Sequence, residues 1–89
     1  MIETNKLYYH KSENGDFAFF FMEQINPTGA YGWQISYLKS YNLIHVFLND
    51  RIQNHETEFM NSLRSEKSNY KKLFNLIFNS SASIKIHAK

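Results

Sequence analysis

The side chains best suited to chemistry in this sequence are its four histidines, His10, His45, His55 and His87. Imidazoles one helical turn apart, or set beside cysteines, would make a zinc centre. Here they fall in separate stretches with no His-x-x-x-His or His-Glu-x-x-His pattern, so spacing supports no metal site. His45 reads instead as a strand residue packed against aromatic neighbours. Cysteine is absent. That removes thiol catalysis, thiolate zinc sites, iron–sulfur ligation and disulfide staples. No serine sits in a Gly-x-Ser-x-Gly elbow. Acid–base work by carboxylates needs two acids in one cleft with separated pKa values. Glu56 and Glu58 lie two apart near a helix start and face different ways, and Glu66-Lys67 lacks the spacing of a metal-dependent nuclease. Gly29-Ala30-Tyr31-Gly32 has the Gly-x-x-Gly spacing that some RNA-binding domains use on phosphates, but without a basic residue it reads as turn chemistry. These residues predict a non-enzymatic protein with no catalytic residues, no metal and no cofactor.

Binding chemistry is better represented. Phe, Tyr and Trp supply 17% of the 89 residues. Codon bias of an AT-rich genome favours Phe, Tyr, Ile, Asn and Lys together, yet Tyr and Trp are also the residues that anchor interfaces. Tyr31, Trp33, Tyr37 and Phe47 are the expected apolar anchors. Arg64, Lys67 and Lys71, along one edge of a helical stripe, are the expected charge-matching groups. A formal net charge of +2 is mild for a dedicated DNA binder.

The elements that position these residues follow from periodicity. Lys6 to Ser12 and Phe17 to Ile25 are β-rich runs around Asn14-Gly15, whose preference for positive φ suits a tight hairpin. Phe17 to Met22 is apolar on both faces, as in a central strand. Asn26 to Gly32 holds the one proline and two of the three glycines and reads as a loop. Trp33 to Lys39 and Leu43 to Leu48 read as the third and fourth strands. From about Arg51 to Phe78 the period changes: Ile52, Phe59, Leu63, Tyr70, Leu73, Phe74 and Ile77 fall within an arc of roughly 100° at helical spacing. One long helix is expected, with a kink or a break near Ser65 to Ser68 as the alternative. Ala82, Ile84, Ile86 and Ala88 alternate with polar residues, as in a half-buried strand.

The expected architecture is therefore a single α+β domain over 1–89, in the order β-β-β-β-α-β. An antiparallel sheet of four or five strands packs on that helix. One helix covers one sheet face, so the other is expected to show aromatic groups to a partner. No signal peptide or membrane span is apparent, and a cytoplasmic setting is expected. The expected function is to bind and mask a surface of a larger protein or nucleoprotein complex, with a homodimer open as well. Size and composition place the chain with the inhibitors of host defence that phages and mobile elements make, anti-CRISPR proteins being of that type. The alternative is a small single-stranded nucleic-acid-binding domain that uses sheet aromatics and the basic helix edge.

Overall fold

A computed structural model describes residues 2–27, 29–52 and 62–87. The elements are β1 (Leu7–Lys11), β2 (Phe17–Asn26), β3 (Gly29–Leu38), β4 (Leu43–Arg51), α1 (Ser68–Asn79) and β5 (Ser83–His87). They form a five-stranded sheet in the order β1-β2-β3-β4-β5. The α+β class and the element order are as expected. The sheet, however, is mixed: the first three pairings are antiparallel, and β4 pairs with β5 in parallel. The reason is the crossover. A strand that returns after a helix can lie beside its predecessor in the same direction, which a hairpin cannot achieve.

Local chemistry explains the turns. Gly15 sits at φ 92° between β1 and β2, and the Asp16 amide donates to Asn14 Oδ1 at 3.0 Å. A single 3-10 turn, Lys39–Tyr41, ends β3, with Asn42 in the left-handed region at φ 47°. The Lys39 amide reaches back to Asp16 Oδ1 at 2.9 Å, which joins the two turns. Asn42 also starts the last strand: its carbonyl accepts from the Ser83 amide at 3.1 Å, and its Nδ2 donates to Ser81 Oγ at 3.0 Å.

The loop expected over 26–32 is mostly strand among the described residues. β2 runs to Asn26, and β3 begins at Gly29, which pairs with it. The glycines that signalled a loop serve the hairpin. Gly29 has φ 151°, and Gly32 is buried where the β2–β3 register slips between Met22 and Gln24.

The pleat gives each sheet face its own core. On the α1 side Leu7, Phe19, Ile44 and Leu76 are buried, flanked by half-buried Phe17, Phe21, Trp33, Ile35 and Tyr37. Trp33 stacks on Phe21, with ring centroids 5.2 Å apart and planes 8° apart. On the other face Tyr8, Phe20, Met22, Ala30, Ile52 and Leu63 are buried together. β2 thus contributes to both layers, with Phe19 at 0% and Phe20 at 2% exposure, as its two-faced apolar pattern predicts.

α1 does not run back to Arg51 as one long helix; it starts at Ser68, where the alternative of a break near Ser65 to Ser68 places it. It spans 12 residues, Ser68–Asn79. Ile52 and Leu63 belong to the core on the opposite face of the sheet, so these two residues serve that layer and not the α1 side. Phe59 and the expected capping and acidic residues 54, 56 and 58 lie outside the described residues. Two apolar layers each drew residues from this stretch, and one helical phase fitted both sets.

Candidate interaction surface

The seven expected binding residues do not converge. Tyr31, Trp33 and Tyr37 alternate along β3 on the α1 side, and all three are half-buried. Trp33 and Tyr37 are partly buried and pack against the core there. Phe47 lies on the opposite face, since its register partner Gln34 alternates with Trp33 and Ile35. Arg64 is not on the helix. Its backbone makes an isolated bridge to Tyr9 at the outer edge of β1, and its guanidinium donates to the Leu63 carbonyl at 3.1 Å. Lys67 immediately precedes α1, and Lys71 is exposed within it. The expected basic helix edge is divided because the helix starts only after Lys67.

The open aromatic sheet face expected from the sequence is not found among the described residues. Its apolar end, around Tyr8, Phe20 and Met22, is closed by the chain's own Ile2, Ile52 and Leu63. Toward the hairpin turns the same face becomes polar: His10, Ala18, Ser36, His45 and Lys85 lie side by side in one row across the five strands.

Apart from Ile25, Tyr41 and Leu48, the exposed large apolar side chains among the described residues lie on the helix and the last strand. α1 buries Asn69 and Leu76, and its first and central turns pack near β1. Tyr70, Phe74 and Phe78 follow one another at i, i+4 and i+8 and project away from that seam. Phe74 is 56% and Phe78 69% exposed. Their rings touch, with centroids 4.7 Å apart. β5 adds Ile84 at 48% and Ile86 at 62% exposure. These isoleucines pair in register with Ile44 and Val46 and so share the helix-bearing side. Their alternation predicted burial, but the strand stands at the sheet edge, beyond the cover of α1. The i, i+4, i+8 spacing of the aromatic trio was visible in the sequence. It was obscured by assigning Tyr70 and Phe74 to a helix phased from Arg51.

A groove of about 420 Å³ opens on the β1 side of the helix, lined by Tyr9, Phe17, Tyr37, Lys72, Asn75 and Ser80 with Leu76 at its base. Lys72 Nζ stands 4.6 Å from the centre of the Tyr9 ring, in cation–π contact. Burial pushes the Tyr9 phenol above its ordinary value, so it stays protonated. Tyr37 donates its hydroxyl to Asn42 Oδ1 at 2.9 Å. Of the expected anchors, it is the one placed at this groove.

Among the described residues no three histidines or carboxylates converge on a common point, and no helix is long and apolar enough to cross a membrane. No protein-family profile matches the sequence, and no curated protein or solved structure matches it either.

Proposed function

We propose that this is a non-enzymatic interaction protein that docks on a larger protein through its helix-bearing side. The observation that carries this reading is the group of large apolar side chains left in water there: Tyr70, Phe74 and Phe78 on α1, and Ile84 and Ile86 on β5. Soluble monomers keep such patches small, and clustered aromatics are the usual energetic centre of an interface. β5 supports the same use. It is the last strand of the sheet, and a strand edge offers unpaired N–H and C=O groups to an incoming chain. The groove beside Lys72 is of a size to take one anchoring side chain from the partner.

The nucleic-acid alternative needs rings that bases can reach. Phe19 and Phe20 are buried and supply none. The finer reading, an inhibitor carried by a phage or mobile element, rests on size and composition and is decided by what the surface captures.

The test is a photo-crosslinking residue at Phe78, compared with one at Glu13 in the far hairpin. A crosslinked partner is expected from position 78 alone. The double variant Phe74→Ser, Phe78→Ser should lose affinity for that partner by at least thirtyfold, since truncating even one interface hot-spot aromatic costs about 2 kcal/mol. Both rings are largely exposed, so folding stability should change by no more than about 0.5 kcal/mol. Equal crosslinking from both positions, or a partner retained by the variant, overturns the proposal. A stable dimer that this variant dissolves would make the partner a second copy.

A further inference from the structure

On the face opposite α1, two histidines 42 positions apart in sequence meet. His45 Nδ1 lies 2.8 Å from His87 Nε2. The ring planes are 19° apart with centroids separated by 5.0 Å. At that separation the rings meet edge to edge, one nitrogen donating and the other accepting. Neighbouring strands hold them: in the parallel β4–β5 ladder, Lys85 pairs with His45 and Phe47 with His87. Phe47 also stacks on the His87 ring at 4.6 Å with planes 10° apart, which restricts the orientation of that imidazole.

We propose that His45 and His87 form a two-histidine site for a borderline divalent transition metal of the Zn²⁺, Ni²⁺ and Cu²⁺ class. Two nitrogens each about 2.0–2.1 Å from a tetrahedral ion stand about 3.3 Å apart, about half an ångström wider than the 2.8 Å between these two. Both rings must turn off their shared N···N line to aim their lone pairs at one point, His87 turning within its stack on Phe47. Imidazole selects these cations over Mg²⁺ and Ca²⁺, which prefer oxygen. The proton balance is simple: the hydrogen between the rings moves to the outer nitrogen of the ring that carries it, and both imidazoles bind neutral. The groups facing the pair from the flanking strands are Ser36 and Gln34 of β3 and Lys85 of β5. Those three bring no carboxylate to the site. The remaining coordination positions stay open to water or an anionic ligand, which the Lys85 ammonium favours.

The ring nitrogens of the isotopically labelled wild-type protein report binding directly. On titration with Zn²⁺, the His45 and His87 resonances should move together along one isotherm. His10, on β1 at the far edge of the sheet and roughly 14 Å away across three strand spacings, should not follow that isotherm. His45→Gln and His87→Gln should each lower Zn²⁺ affinity at least tenfold, and His10→Gln should leave it unchanged. The thermal midpoint of the wild type should rise by about 4–8 °C once free Zn²⁺ stands several-fold above its dissociation constant. Unmoved His45 and His87 resonances at millimolar Zn²⁺ overturn the proposal, as does an affinity that survives His87→Gln. The wild-type resonances decide the matter even where a variant fails to fold.

Discussion

Gly32→Ala is expected to destabilise the protein by about 3 kcal/mol or more, the upper end of what overpacking costs. A methyl built on Gly32 would lie 2.0 Å from the Phe21 carbonyl oxygen, 3.0 Å from the Glu23 amide nitrogen and 3.1 Å from Met22 Cα. All three are backbone atoms of β2, so no side chain can swing aside. The cause is the slip in register between Met22 and Gln24, which presses the β2 backbone against β3. Relief would require straightening that irregularity, and a shift of one residue would exchange the two faces of β2. Phe19 and Phe20 would then be sent to the wrong layers. In a domain with about 5–15 kcal/mol in total, the thermal midpoint should fall by more than 10 °C. Gly29→Ala is the informative comparison. Its added methyl would meet the Arg51 side chain at 3.1 Å, which can move, so the cost should be nearer 1 kcal/mol from its φ alone. Urea melts followed by circular dichroism separate the two, and a loss below 1 kcal/mol for Gly32→Ala would show that the strands are not in this register.

That glycine also shows where sequence reading stops. Glycine and proline near Asn26 point to a loop over 26–32, whereas most of that stretch is paired strand. What differed was extent: Gly32 is needed inside a strand for closeness, not at a turn for a positive φ. Features governed by neighbouring residues were legible, such as the Asn14-Gly15 hairpin, the central position of β2 and the strand at 83–87. The direction of that last strand depends on where α1 delivers the chain, which periodicity along one segment does not contain. The length of α1 failed for a related reason. Ile52 and Leu63 are as apolar as Leu73 and Leu76, and only the three-dimensional layering sends the first pair to one sheet face and the second pair to the other. His45 and His87 met the same barrier, since strand pairing joins residues with no sequence relation.

The binding surface changed character for the same reason. Tyr31, Trp33, Tyr37 and Phe47 were credible anchors as long as one sheet face was bare. With both faces supplied with a core, the aromatics of β2 and β3 become structural. Surface chemistry passes to the later part of the chain, where α1 is too short and too close to β1 to shelter β5. The two edges of the sheet are accordingly unlike. Arg64 bridges the outer side of β1, whereas β5 keeps exposed isoleucines with Lys85 between them. A lysine on an edge strand discourages indiscriminate strand pairing, so the edge most open to a partner also carries a guard against self-association.

The protected edge rests heavily on one residue, and its replacement should have the other large effect. Asn69 is 2% exposed, the one buried polar side chain among the described residues. Its Nδ2 donates at 2.9 Å to the Leu7 carbonyl of β1 and at 2.9 Å to the Arg64 carbonyl. It therefore ties the start of α1 to the sheet edge and to the segment that crosses that edge. The helix needs the tie, because 12 residues are marginal alone and its N-cap position, Lys67, has no side-chain capping bond. Asn69→Leu keeps the branching and the number of side-chain heavy atoms, is bulkier, and removes both donors. Leaving the two carbonyls unsatisfied should cost about 2–4 kcal/mol. Asn69→Asp should be worse at neutral pH, by about 1 kcal/mol or more, because it sets a buried carboxylate against two carbonyl oxygens. The sign of its pH dependence follows. That carboxyl would titrate higher in the folded chain than its unfolded value of about 3.9. The electrostatic penalty is thus complete above the folded pKa and fades as pH falls through it, and the protonated acid regains one donor. Urea midpoints at pH 7 and pH 4.5 should show the Asp variant gaining on the Leu variant in acid. A constant difference between them would mean that position 69 is open to water and that the tie between α1 and β1 is made elsewhere.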